Sequence, residues 1–228
     1  NADYIKRGKH MLEWGDDFIF IREDNNENIP NIIREQFLNE IKKHGGIGRV
    51  QVLSPFRTRT DTGANNLNRI LQDCINPKKK FETEIYYGSK TFRENDKVMQ
   101  TRNDYDKEVF NGDMGFISSI YRNLGGENEA EIKIDGRKII YMQEDFEDLD
   151  LAYATTIHKS QGSEYDVVIM PITTQHYIFL QRNMIYTAVT RARKKVILIG
   201  TPKALAIAVR NNKTNERNSK LSERILWA

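Results

Sequence analysis

Two short runs without a polar residue constrain this chain most: Val167-Val168-Ile169-Met170 and Val196-Ile197-Leu198-Ile199. A strand with one wet face alternates apolar and polar residues. An unbroken apolar run instead demands a sheet covered on both sides, the arrangement of α/β folds with parallel strands. Each run is preceded by polar residues. His158 to Glu164 (HKSQGSE) lies before the first, and the helically spaced stretch NMIYTAVTRAR, Asn183 to Arg193, brings two arginines to the start of the second. Two polar clusters are thus mounted beside two strands expected to be neighbours.

The remaining pattern divides into an α/β part and a β-rich part. Phe18 to Ile21 (FIFI) reads as a strand, followed by a helix with Ile29, Ile32, Ile33, Phe37 and Ile41 at helical spacing, stopped by Gly45-Gly46. Arg49 to Ser54 is the next strand. From Gly63 a second helix carries Leu67, Ile70, Leu71 and Cys74 on one face before Asn76-Pro77 ends it. From 78 to about 148 the chain changes to short alternating segments, DKVMQTR, MGFISSIY, AEIKID and RKIIYM, with turn signals at Asn111-Gly112, Gly125-Gly126 and Asp135-Gly136. Asp-Gly between β-rich arms suits a type I′ hairpin. The expected division is therefore 1–80 with 149–228 as the α/β domain, and 81–148 as an all-β insertion. Thr201-Pro202 starts a further helix with Thr201 as its cap. NNKTNERNSK then reads as a surface loop and LSERILW as a short docking helix.

Composition excludes several classes. A net charge of +3 is too mild to name nucleic acid as a partner by itself. The single Cys74 leaves no intrachain disulfide and favours a reducing, cytoplasmic setting, and four scattered histidines give no metal-ligand spacing. No apolar run approaches the ~20 residues needed to span a bilayer, so no membrane partner is expected. Asn1 opens inside a helix-like pattern, which suggests a piece of a longer protein.

TIHKSQGSEYDVVI and YTAVTRARKKVILIG resemble motifs V and VI of superfamily-one DNA helicases, closest to the RecD-type branch, the alpha subunit of exodeoxyribonuclease V and its stand-alone relatives. NADYIKRG resembles the stretch just after motif III. QVLSPFR…LNRILQDCINP is similar to motif IV, with Arg59-Thr60-Asp61 where the family's loop is one residue shorter and carries a glycine soon after the arginine. NDKVMQTRNDYDKEVFNGDMGFI is similar to the entry of the family's inserted barrel, with Asn95 in place of a glycine. The resemblance implies a second RecA-like domain, a parallel sheet flanked by helices, carrying an inserted SH3-like β-barrel.

ATP hydrolysis needs a phosphate cradle, a magnesium ligand and positive charge that reaches the γ-phosphate in the transition state. Only the last is legible here. Gly88-Ser89-Lys90-Thr91 misses the P-loop pattern, with Ser89 where a glycine belongs, and no acidic strand end of the Walker B kind is present. ATP and Mg2+ are therefore expected to be held mainly by a missing N-terminal domain, with none bound to this fragment and no turnover by it alone.

The resemblance makes Arg191 the candidate arginine finger, because a guanidinium is permanently charged and can hold two phosphate oxygens. Arg57 in motif IV is a second catalytic candidate, whereas Arg193 reads as a surface arginine. The same resemblance puts Gln161, Gly162 and Glu164 near the nucleotide, with Glu164 accepting from a ribose hydroxyl and Gly162 permitting close backbone approach. Thr155, Thr156, His158 and Lys159 would face the DNA backbone. In the insertion, Asn103, Tyr105 and Asn111 are candidates for single-stranded DNA contact, Tyr105 offering a stacking surface. Bland readings stand beside these: His158 as a helix-end imidazole bonded to a carbonyl, Tyr105 as barrel packing, Asn111-Gly112 as only a turn, Lys78 to Lys80 as a solvated loop.

The expected function is the C-terminal motor part of an ATP-dependent DNA helicase, moving 5′ to 3′ on single-stranded DNA by family analogy. Its partners would be that DNA, the N-terminal RecA-like domain of the same protein and, if it acts in a complex, other recombination or repair subunits. The rivals are a relaxase-helicase or phage helicase fragment, and a non-catalytic DNA-binding or docking module that retains the motor fold.

Overall fold

A computed structural model describes residues 1–9 and 12–212. The loop expected beyond Asn212 and the helix expected at LSERILW lie outside the described residues. In chain order, α1 (Ala2–Lys6) and β1 (Phe18–Arg22) lead to α2 (Ile29–His44), β2 (Val50–Ser54) and α3 (Ala64–Ile75). A run of strands follows: β3 (Ile85–Tyr87), β4 (Lys90–Phe92), β5 (Lys97–Gln100), β6 (Met114–Arg122), β7 (Asn128–Ile134), β8 (Arg137–Tyr141) and β9 (Leu149–Leu151). The chain returns through β10 (Ala154–Thr156), β11 (Tyr165–Ile172), α4 (Arg182–Val189), β12 (Ala192–Gly200) and α5 (Pro202–Arg210).

Five parallel strands form a RecA-like sheet in the order β1-β12-β11-β2-β10. The unbroken apolar run of β11 is explained by its two covers. Val167 and Ile169 pack with Ile33 and Phe37 of α2 and Leu67 and Leu71 of α3, while Val168 and Met170 pack with Ile185 of α4 and Val209 of α5. Full burial of each such side chain contributes roughly 1.5–3 kcal/mol, so a polar residue anywhere in the run would be expensive. Gly45 closes α2 in the left-handed conformation, φ 78°, as its position after the last apolar residue predicts. At the start of α5, the Thr201 hydroxyl accepts from the Ala204 N–H.

The buried face of α3 differs from its sequence reading. Ile70 is only partly buried and Cys74 is exposed, whereas Asn68 and Gln72 are buried beside Leu67 and Leu71. Both amides are buried because they are bonded. Asn68 clamps the backbone around β10, donating to the Leu151 and Ala154 carbonyls at 2.9 Å and accepting from the Ala154 N–H at 2.7 Å.

Residues between α3 and β10 build the SH3-like barrel, an antiparallel sheet ordered β8-β7-β6-β5-β9 with a separate β3-β4 hairpin packed against it. Ile85 and Phe92 of the hairpin meet Val98, Ile117, Ile132, Tyr141 and Phe146 in its core. Asp135 and Gly136 both take positive φ, 48° and 82°, the requirement of a type I′ turn. Asn95 stands at φ 69°, a conformation asparagine tolerates and the reason a glycine serves at the same place. β9 pairs with β5 of the barrel, Val98 opposite Leu151, and only from Ala154 does the chain join the parallel sheet beside β2.

Two buried groups lock barrel to sheet. The Asp96 carboxylate accepts from Gln72 Nε2 (2.6 Å), Asn76 Nδ2 (2.8 Å), the Arg93 N–H (2.7 Å) and the Tyr153 hydroxyl (2.8 Å). Burial pushes its pKa up against those four donors. Lys97 reaches from β5 to Gln51 Oε1 of β2 at 2.9 Å, with its ammonium 5.6 Å from the centre of the Tyr165 ring.

Candidate functional site

Parallel strands give the sheet two distinct ends, and the candidate residues divide between them. The turn Gln161 to Glu164 feeds the N-terminal end of β11, and Arg191 feeds the N-terminal end of β12. The ladder begins with Tyr165 opposite Ala192, and the Tyr165 N–H donates to the Arg191 carbonyl at 2.8 Å. Arg191 and Glu164 are therefore on adjacent strand starts. Gln161, Gly162 and Glu164 are exposed; Gly162 takes φ 90° and a Cβ added there would meet nothing within 4 Å.

The Arg191 guanidinium is under-bonded. Nη1 reaches the Ser163 carbonyl at 3.3 Å and Nη2 the Thr190 hydroxyl at 3.4 Å, while Nε is buried without a partner. It makes no ion pair among the described residues. Arg193, two residues on, points the other way in chemistry: its Nε donates to Glu164 Oε2 at 2.8 Å, a half-exposed surface pair. Glu164 Oε1 makes no bond among the described residues. Beneath this end the Tyr165 hydroxyl touches Met114 Sδ at 3.7 Å, and burial pushes its pKa up to about 12.

The second group gathers at the C-terminal ends of β2 and β10. Backbone positions here lie on the order of 15 Å along the strands from the Arg191 end, at ~3.3 Å per residue. Thr155 and Thr156 close β10, where Thr156 pairs with Ser54 of β2. Lys159 follows in a one-turn 3-10 segment, His158–Ser160. His158 is exposed with its ring unbonded among the described residues, so the carbonyl-bonded reading of it does not hold. Thr155 is 4% exposed with its hydroxyl unpartnered.

Arg57, grouped by sequence with Arg191 as catalytic, follows β2 and stands in this second cluster. Its Nη2 donates to both oxygens of Asp150, at 3.0 and 3.1 Å. Lys90 and Lys159 approach the same carboxylate at 3.2 and 3.1 Å. These side chains line a cavity of about 210 Å³ together with Thr155 and Thr156. Lys90 and Asp150 were not singled out by sequence. Lys90 belongs to the GSKT segment that misses the P-loop pattern, and in the fold it begins a strand of the barrel hairpin.

A third group lies on the barrel. Tyr105 is 75% exposed and stacks edge-on against Phe110, ring centres 6.2 Å apart, so it is not part of the barrel core. Asn103 Oδ1 accepts from the Asn111 N–H at 2.9 Å, and its Nδ2 reaches the Tyr105 hydroxyl at 3.4 Å. The three residues chosen from sequence thus share one loop tip. Among the described residues no cluster of acidic, histidine or cysteine side chains is placed to hold a metal ion, and no helix is long and apolar enough to cross a membrane.

A parallel sheet with an SH3-like barrel set between α3 and β10 corresponds to helicase domains. Residues 67–135 match the family described as ATP-dependent RecD-like DNA helicase SH3 domain, and residues 151–199 match the UvrD-like helicase C-terminal domain. The chain is 36% identical over 186 residues to the ATP-dependent RecD2 DNA helicase of Deinococcus radiodurans, covering 81% of this chain and 24% of that protein. It is 33% identical over 114 residues to the RecBCD enzyme subunit RecD of Mycobacterium tuberculosis, covering 49% of this chain and 19% of that one. A solved structure of Pif1 helicases on forked DNA aligns with a TM-score of 0.45 at 18% identity, over 73% of this chain and 46% of that one. The chain carries a RecD-like helicase SH3 domain and a UvrD-like helicase C-terminal domain, and it spans about a quarter of the length of the Deinococcus relative.

Proposed function

We propose that this chain is the second motor lobe of an ATP-dependent DNA helicase, completed by a nucleotide-binding RecA-like lobe outside this sequence. Its parallel sheet forms the lobe and its barrel an insertion that begins after α3 and ends near Ala152. One observation carries the reading: Arg191 is an under-bonded guanidinium at the same strand end as Gln161, Gly162 and Glu164. Arg193, two residues on, by contrast finds a carboxylate in Glu164. Arg191 keeps its charge for something absent from this lobe.

The residues suit a nucleotide with Mg2+ held mainly by the other lobe. The open space over Gly162 permits close approach of a base or ribose, and Glu164 Oε1 remains available to a ribose hydroxyl. Bound nucleotide would supply the phosphoryl chemistry. This chain supplies a planar cation that stabilises charge developing on the transferred group, and closure of the two lobes brings it into reach. At the other strand end, Arg57, Thr155, Thr156, His158 and Lys159 grip the backbone of single-stranded DNA, and the Tyr105 loop of the barrel offers a stacking face. Alternate closure and opening then moves the grip along the strand, 5′ to 3′ as the family resemblance implies.

The test is Arg191→Ala in the full-length protein. A loss of ~10³ or more in DNA-stimulated ATPase kcat is expected, with DNA affinity retained, as for other arginine fingers. Near-normal turnover by a folded variant would overturn the reading and favour a docking module that has kept the motor fold.

A further inference from the structure

The cavity at the C-terminal strand ends is shared by two parts of the molecule. Arg57 and Lys159 come from the parallel sheet, Lys90 from the β3-β4 hairpin and Asp150 from β9 of the barrel. Three cations converge on one carboxylate. Arg57 Nη2 meets both Asp150 oxygens at 3.0 and 3.1 Å, Lys159 Nζ meets Oδ2 at 3.1 Å and Lys90 Nζ meets Oδ1 at 3.2 Å. A single pairing would satisfy Asp150, so the arrangement holds more positive charge than its own carboxylate can neutralise.

Burial pushes the Asp150 carboxyl up, but Lys159, Lys90 and Arg57 together hold it below the usual carboxylate range. It is charged at neutral pH. A carboxylate in this position presents two oxygens and one negative charge, the same features as a phosphodiester, and the guanidinium fork matches either. Thr155 is among the residues lining the same cavity, 4% exposed.

We propose that this cavity is a seat for one backbone phosphate of single-stranded DNA, and that Asp150 is its internal stand-in, displaced when the strand enters. The inference rests on the reading of this strand end as the DNA-facing side and deepens it. Asp150 competes with the strand, so it sets both the affinity and the salt dependence of the grip. Lys90 is a seat residue contributed by the barrel, and seating a phosphate exchanges a contact between barrel and sheet for one with the DNA.

The experiment is Asp150→Asn in the full-length protein, with binding of a labelled oligo-dT of about 15 nucleotides followed by anisotropy from about 50 to about 300 mM NaCl. Removing the competing charge should tighten binding roughly 5- to 10-fold. It should also steepen the slope of log K against log salt by about 0.7, one phosphate's worth. Unchanged or weaker binding by the folded variant overturns the proposal. So does a variant whose oligonucleotide affinity is unchanged but whose binding becomes sensitive to inorganic phosphate at constant ionic strength, since the seat would then serve a free anion. If D150N fails to fold by circular dichroism, Lys90→Gln decides: several-fold weaker binding with a shallower salt slope supports the seat, and wild-type behaviour overturns it. Absence of oligonucleotide binding by the wild-type protein at every salt concentration would sink the DNA-facing reading itself, and the seat with it.

Discussion

Replacing Lys97 with Met should stabilise the protein, by an amount that depends on pH. The Lys97 side chain is 2% exposed, donates to Gln51 Oε1 at 2.9 Å and to the Ile47 carbonyl at 3.4 Å, and has no carboxylate partner among the described residues. Burial pushes its pKa down to about 7. In the unfolded chain a lysine titrates near ~10.4. Between those values the unfolded state holds a proton that the native state has released, so stability rises with pH across that window. Below about pH 7 both states are protonated, and the full cost of burying the ammonium is present and constant. Two pH units above the native pKa at about 1.36 kcal/mol each give a rise of about 2.7 kcal/mol between about pH 6 and about pH 9. The methionine variant lacks this slope. It loses the bond to Gln51 Oε1, worth about 1 kcal/mol, while Gln51 Nε2 keeps its carbonyl contacts at 3.2 Å. Urea denaturation of both proteins at about pH 6 and about pH 9 measures the difference. K97M should show its largest advantage at the lower pH, shrinking by about 2–3 kcal/mol at the higher. An advantage equal at both values would refute the reasoning.

Asp96→Ala should cost at least about 3 kcal/mol, because the amides of Gln72 and Asn76, the Tyr153 hydroxyl and the Arg93 N–H lose one shared acceptor in a dry site. Equilibrium unfolding reads this directly, and a cost under about 1 kcal/mol would mean that water replaces the carboxylate. Tyr105→Ala, at an exposed loop tip, should leave the melting temperature unchanged and weaken oligo-dT binding by about 1–3 kcal/mol if the ring stacks on a base. Unaltered affinity would leave the Tyr105–Phe110 pair without a role in the grip.

The parts of the fold most legible in sequence were those set by one dominant force. The apolar runs at Val167 and Val196 have no alternative to a sheet covered on both faces, and Asp135-Gly136 has few alternatives to its turn. Reading failed where a polar side chain is buried through its bonding. Asn68 and Gln72 look like a solvent face of α3, yet their partners, the β10 backbone and Asp96, are distant in sequence and invisible to periodicity. For the same reason Leu149–Leu151 reads as part of the α/β half but pairs with β5 of the barrel. Of the candidate site, the proximity of Arg191 to Glu164 follows from their places before two neighbouring strands. The company Arg57 keeps does not, because Asp150 and Lys90 reach it only through the insertion. Its loop carries Arg59 at φ 80°, a strained conformation for a non-glycine residue, where the resembling family has a glycine nearby.

The central claim is that the two strand ends divide the work, with Arg191 facing a nucleotide and Arg57 facing DNA. Arg57→Ala in the full-length protein tests it directly, by ATPase titrated with single-stranded DNA. The expected result is a several-fold rise in the DNA concentration for half-maximal stimulation, with kcat at saturating DNA within about twofold of wild type. A kcat at saturating DNA that falls by ~10³, as expected for Arg191→Ala, would put both arginines on the nucleotide and contradict the account.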